Sequence, residues 1–253
     1  MVSPSEGLAI IIPARYDASR FPGKLLQLAG KRTILEHTWR RASQVSAADT
    51  VTIATDSEQI AAAAESFNAP VIMTGAQPSG TDRIAAAISE LRPAPRWVVN
   101  LQGDEPLINP ANISLLCDQL RTSDDEIVTC ATKIESASEW SDPNIVKVVC
   151  DESGRALYFS RAAIPATQAG QGDDAFRLIS SLCMGHIGIY GYPVAILRRL
   201  QALEPSPLER AESLEQLRAL EAGITIRVIK VEERSVSVDT PEDLQKVREI
   251  MGV

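Results

Sequence analysis

The chain has 253 residues, 45% of them hydrophobic, and a formal net charge of -8. Such apolar content supports a substantial core without disulfides or a structural metal. The acidic balance argues against the extended phosphate neutralisation on which sequence-independent nucleic-acid binding depends. No apolar run approaches the ~18 residues of a membrane span. The opening MVSPSEG lacks a charged segment leading into an apolar one. Cys117, Cys130, Cys150 and Cys183 are widely spaced, with no CxxC and no Cys/His cluster. The expectation is a soluble cytoplasmic protein with reduced, buried thiols and no membrane insertion.

Leu8–Ile12 reads as a buried strand that runs into a loop carrying Arg15, Arg20 and Lys24. Between Arg15 and Arg32 stand five basic residues and one acid, Asp17. An acidic protein that concentrates cations at a strand end has an anion to meet there, although an ordinary solvated loop carries such residues too. The loop is no Walker A loop, because GxxxxGK[ST] is missing, and no GxGxxG follows the strand. Further strands are expected at Thr50–Thr55, Pro70–Met73 and Trp97–Leu101, with helices at Ile34–Gln44, Ser57–Phe67 and Thr81–Leu91. This alternation predicts right-handed crossovers and a parallel α/β sheet, with ligands beyond the carboxyl ends of the strands.

Pro78-Ser79-Gly80-Thr81-Asp82-Arg83 puts hydroxyls and a glycine at the head of a helix, suited to a base or phosphate and equally to a plain helix start. Asn100-Leu101-Gln102-Gly103-Asp104-Glu105-Pro106 ends a strand, where a carboxylate can bind Mg²⁺ or simply shape a polar turn. From Ile127 the pattern becomes β-rich, with strands at Ile127–Ile134, Ile145–Cys150, Leu157–Ser160 and Cys183–Tyr190, and a mobile surface loop over Pro165–Asp174. Period two places His186, Gly188 and Tyr190 on one strand face. The glycine leaves space for a sugar or carboxylate, and a satisfied core histidine fits as well. Helices follow at Pro193–Ala202 and Pro207–Ala222. On the second, Glu212, Glu215 and Gln216 share a face at i, i+3 and i+4, which alone reads as solvated surface. After a strand at Ile224–Val231, Asp239 precedes a last helix that Thr240, Pro241 and Asp243 equip to start. With no repeat and no long linker, residues 1–253 read as one domain with an inserted β-rich portion.

In this order, IIPARYDASRFPGK, SGTDR, NLQGDEP, NIVKVV, ALYFSRAAIP, HIGIYGY, PSPLERAESLEQLRALE and VDTPEDL resemble the CMP-Kdo synthetases, the 3-deoxy-manno-octulosonate (Kdo) cytidylyltransferases. The resemblance covers nearly the whole chain. It implies a nucleotide-diphospho-sugar transferase fold: a Rossmann-like, mostly parallel central sheet with helices on both faces and an inserted β-rich portion for sugar binding and dimerisation. It also implies a homodimer that joins CMP to Kdo for lipopolysaccharide assembly, with residues 1–134 mainly nucleotide-binding and 135–253 mainly sugar-binding and dimer-forming. Pro13, Ala14, Arg15 and Lys24 match the family's CTP loop, with Arg20 beside it. Ser79, Gly80 and Thr81 match the cytosine and ribose segment. Asp104 and Asp239 match its Mg²⁺ carboxylates, with Gln102 next to both ligands, and Arg161, His186, Tyr190, Glu215 and Gln216 match its Kdo positions. Arg161 is expected to pair with the sugar carboxylate, and Arg15 and Lys24 with the β- and γ-phosphates. Asp82 stands where glutamate is more familiar, and Phe21 where leucine is usual. Another acid sugar (8-amino-Kdo or a sialic acid) is the alternative substrate, and a catalytically silent CTP-binding regulator the alternative role.

Overall fold

The computed structural model describes residues 6–17, 21–168, 170 and 172–253. The first half alternates as expected. Strand β1 (Leu8–Ala14) leads through a 3-10 turn (Lys24–Leu26) and a small hairpin, β2 (Leu28–Ala29) and β3 (Arg32–Thr33), into helix α1 (Ile34–Ala42). There follow β4 (Thr50–Thr55), α2 (Glu58–Ser66), β5 (Val71–Met73), α3 (Gly80–Glu90), β6 (Trp97–Asn100) and α4 (Pro110–Leu120). Helix α4 was not foreseen, although its signals stand in the sequence: Asn109 caps it, Pro110 opens it, and Ile113, Leu116, Cys117 and Leu120 are its buried stripe.

The second half comprises β7 (Glu126–Lys133), α5 (Ala137–Ser141), β8 (Lys147–Cys150), β9 (Ala156–Ser160), α6 (Asp173–Ile179), β10 (Cys183–Pro193), α7 (Val194–Gln201), α8 (Pro207–Glu212), α9 (Gln216–Glu221), β11 (Thr225–Lys230) and α10 (Pro241–Met251). Two expectations need correction. The range read as a loop at Pro165–Asp174 already contains the start of α6, whose Ala175 and Ile179 join Trp140 in a small third core. The segment read as one helix over Pro207–Ala222 is two. Ser213 takes a left-handed backbone, φ 53°, and α9 turns back so that Arg218 grips Glu209 at 2.6 and 2.7 Å. Glu212 therefore ends one helix while Glu215 caps the next, and the three polar residues share no continuous helix face.

One nine-stranded sheet carries all the strands except β2 and β3, in the order β11-β7-β10-β6-β1-β4-β5, with β8 and β9 branching from β10. Pairings β6–β1, β1–β4, β4–β5 and β11–β7 are parallel, whereas β10 runs antiparallel to both β6 and β7. Strand β1 shows why the sheet is covered twice. Leu8, Ile10, Ile12 and Ala14 enter one core with α1, α2, α4 and α10, while Ala9 and Ile11 enter the other with α3, α7 and α9. The cysteines are free, and burial holds their thiols well above the usual range. Among the described residues no helix is long and apolar enough to cross a membrane.

Candidate active site

Three adjoining clefts of about 300, 420 and 330 Å³ run along the carboxyl ends of the parallel strands, and Gln102 lines all three. The middle one begins with the loop after β1. Gly23, at φ 68°, turns beneath the Tyr16 ring and donates its N–H to the Tyr16 carbonyl at 3.0 Å. That turn sends Lys24 inward, where Nζ lies 2.5 Å from Asp104 Oδ2 and 2.8 Å from Asp239 Oδ1. Burial works against the ammonium, but the two carboxylates outweigh it and the Lys24 pKa is raised. Arg15 and Asp104 line this same cleft, with Arg15 exposed at its mouth. Arg20 lies outside the described residues.

Asp104 and Asp239 come from loops far apart in sequence, joined where the Val238 N–H donates to the Asp104 carbonyl at 2.9 Å. Gly103 packs between Leu25, Leu35 and the Pro13 carbonyl, so that a Cβ there would sit within 3.4 Å of all three. The expected capping box of α10 is present, Thr240 with Asp243, and it sets Asp239 at the helix entrance. The carboxylates already converge on one cation, the ammonium of Lys24. A pair of hard oxygen donors so arranged fits Mg²⁺, which often takes only one or two protein ligands. No larger group of potential metal ligands occurs among the described residues. Glu105, which the sequence reading passed over, lies beside them; its carboxyl accepts from the Ser235 hydroxyl, and burial pushes its pKa up to about 7.

The first cleft gathers Pro13, Ala14 and Arg15 with Ser79, Gly80 and Thr81, and across from them Tyr190, Glu215 and Gln216. Ser79 caps α3 by accepting from the Asp82 N–H at 3.1 Å, and its hydroxyl donates to Asp82 Oδ2 at 2.8 Å. Gly80 faces the Pro13 ring, 3.6 Å from where a Cβ would stand. Thr81 is buried, and its hydroxyl lies close to both Tyr192 and Glu215. Burial holds the Glu215 carboxyl above its ordinary value. Gln216 Nε2 is buried without a hydrogen-bond partner, an unused donor at the cleft wall. Arg83, the last residue of the SGTDR segment, anchors the rim: it donates to Asp56 Oδ2 at 2.9 Å, Thr74 Oγ1 at 2.8 Å and the Gly75 carbonyl at 3.2 Å.

The third cleft brings His186 together with Gln102, Asp104 and Asp239. A register shift in β10 between Ile187 and Tyr190 bulges Gly188 outward, yet His186 and Tyr190 still meet, ring centroids 5.3 Å apart. Thr129 Oγ1 donates to the Ile189 carbonyl at 2.7 Å, so at 2.9 Å it accepts from His186 Nε2. Burial, and then the nearby Arg234 charge, lower the His186 pKa to about 3. The ring is therefore neutral, with Nδ1 as its acceptor. Arg161 is placed differently from its expectation. It lines none of these clefts, and its Nε and Nη1 donate to the carbonyls of Glu212 at 3.0 Å and Pro143 at 3.2 Å.

Cations at the mouth, a two-carboxylate seat between, and polar walls on either side suit transfer of a nucleotidyl group, the work of an α/β nucleotidyltransferase. Residues 9–228 match the family described as Cytidylyltransferase, and the chain belongs to that family. It is 46% identical over 246 residues to the 3-deoxy-manno-octulosonate cytidylyltransferase of Anaeromyxobacter sp. (strain Fw109-5), covering 97% of each chain. The enzyme of that name from Vibrio parahaemolyticus is 43% identical over 246 residues, 96% of this chain and 97% of the relative. A solved CMP:2-keto-3-deoxy-manno-octonic acid synthetase in complex with CTP superposes with a TM-score of 0.89 at 36% identity, covering 97% of this chain and 98% of that one. A 4-diphosphocytidyl-2C-methyl-D-erythritol synthase from Anaerococcus prevotii, 15% identical with a TM-score of 0.65, shares the fold.

Proposed function

We propose that this enzyme transfers CMP from CTP to the anomeric hydroxyl of Kdo, giving CMP-Kdo and pyrophosphate. The observation that carries the reading is the convergence of Asp104 and Asp239, from separate loops, on one cation beside Arg15 and Gln102. In the reaction the sugar hydroxyl attacks the α-phosphorus in line, the bond to the β-phosphate oxygen breaks, pyrophosphate leaves and the hydroxyl proton passes to solvent or a nearby base. Mg²⁺ held by Asp104 and Asp239 would polarise the α-phosphate and favour ionisation of the hydroxyl. Arg15, which lines the same cleft, would meet the outer phosphates, and Lys24 would add a second positive charge to neutralise the leaving group. Ser79, Gly80 and Thr81 form the nucleoside wall. Glu215, Gln216, His186 and Tyr190 offer hydrogen bonds for sugar hydroxyls.

Pyrophosphate release is expected with CTP, Mg²⁺ and Kdo, and to be abolished by a chelator. Offered 8-amino-Kdo and a sialic acid in parallel, the enzyme should turn over Kdo with the highest kcat/KM. Preference for another acid sugar would reassign the substrate, and no release with any of them would leave a silent binder.

We also infer a homodimer in the cytoplasm. Leu157, Leu178 and Leu182 are 62%, 65% and 59% exposed on the β-rich portion, an apolar cost that a second copy would relieve. Sedimentation equilibrium should give twice the chain mass, and Leu157→Glu should shift it toward the monomer. A monomeric wild type would overturn the assembly.

A further inference from the structure

Arg234, in the loop between β11 and α10, lines the third cleft with Gln102, Asp104, His186 and Asp239. Its Nε and Nη2 are buried and have no hydrogen-bond partner among the described residues. A guanidinium stays charged at any physiological pH, so burying two of its donors unpaired is costly unless something completes them. The backbone opposite has been cleared for it: at Gly185 a Cβ would stand 1.8 Å from Arg234 Nη2, a position that no side chain can share. Nε–H and Nη2–H lie on one edge of the guanidinium and point the same way, which is the fork that receives both oxygens of a carboxylate. Arg161, by contrast, has spent Nε and Nη1 on backbone carbonyls outside the clefts.

We propose that Arg234 is the residue that binds the carboxylate of the acid sugar and so selects acid over neutral sugars, the part which the family resemblance would give to Arg161. A phosphate of the nucleotide is the less suitable occupant. Arg15 and Lys24 are gathered in the neighbouring cleft, whereas Arg234 shares its wall with His186 on the sugar side. The inference rests on the acid-sugar reading above, and the experiment separates the two.

Wild type, Arg234→Gln, Arg234→Lys and Arg161→Gln are compared by pyrophosphate release. Each is given CTP with Kdo, or with the neutral analogue bearing CH₂OH in place of the carboxylate. In Arg234→Gln the KM for Kdo should rise roughly 10–100-fold, the span expected for loss of hydrogen bonds to a charged group. The KM for CTP should stay near wild type and preference for Kdo over the neutral analogue should largely vanish. Arg234→Lys should recover part of that preference, since it restores the charge and not the fork. Arg161→Gln should keep it. Equal losses on acid and neutral sugars, or loss of preference in Arg161→Gln but not Arg234→Gln, would overturn the assignment. If Arg234→Gln fails to fold, Gly185→Ala displaces the same guanidinium and should raise the KM for Kdo selectively. If wild type itself turns over no acid sugar, the proposed function fails first and this inference with it.

Discussion

Asp104→Asn should lower kcat by about 10²–10³-fold, ~2.7–4 kcal/mol in the barrier, while leaving the fold in place. The amide keeps the shape and volume of the carboxylate while removing its charge and one of its two acceptor oxygens. The neighbouring backbone is held by other means: the Asp104 carbonyl accepts from Val238 N–H, and the Gly103 carbonyl accepts from the Thr38 hydroxyl at 3.0 Å. What the substitution loses is half of the negative charge that converges on the cation seat, where transition-state charge must be balanced. Asp239→Asn should act similarly, and the double variant should be little worse than either single one, because the two carboxylates act as a unit. Single-turnover assays with CTP and the sugar, with circular dichroism as the folding control, give the measurement. Turnover of Asp104→Asn equal to wild type would remove Asp104 from the metal role.

The largest expected stability effect lies away from the cleft, at Lys147. Its side chain is fully buried, and Nζ donates to the carbonyls of Asp142 at 2.8 Å, Ile145 at 2.6 Å and Arg161 at 2.6 Å. Burial lowers the Lys147 pKa, so the ammonium is held at a cost that these three acceptors offset. Lys147→Met would match the volume and remove the desolvation cost, yet it would strand the Ile145 and Arg161 carbonyls at ~1–3 kcal/mol for each left unpaired, while the Asp142 carbonyl keeps the Ile145 N–H at 3.2 Å. The net expectation is a loss of roughly 3 kcal/mol or more, lowering Tm by about 6–12 °C for a chain of this size. Differential scanning calorimetry reads this directly. A Tm at or above wild type would mean that the carbonyls find water and that Lys147 contributes nothing net. Activity should also suffer, because the segment from Asp142 to Ile145 walls the third cleft through Asn144 and Ile145.

Local signals carried much of the fold. The run Leu8–Ile12 appears inside β1, and the residue pair Thr240 and Asp243 forms its capping box, because both depend on neighbours within a few residues. Helix α4 is equally legible, since Asn109-Pro110 precedes an apolar stripe. The break at Ser213 was not legible. A helical pattern runs through it, and contacts that form only across the break offset its left-handed backbone: the Arg218–Glu209 pair, the Leu208 N–H on Glu221, and the burial of Leu214 and Leu217. The bulge at Gly188 is similar: period two gave the right face for His186 and Tyr190 but no hint that the intervening glycine steps out of register.

From its order of residues alone, the chain determined an α/β sheet with chemistry at its strand ends, and nearly all the polar groups that gather there. Tertiary structure alone decided how those groups are partnered. Lys24 meets Asp239 across 215 positions, Arg161 is spent on backbone carbonyls, and Arg234, in a loop without any motif, lies unpaired at the cleft. The physical reason is range: periodicity, capping and turn chemistry act over a few residues, whereas the charge a buried cation meets is set by strands and loops that only folding brings together.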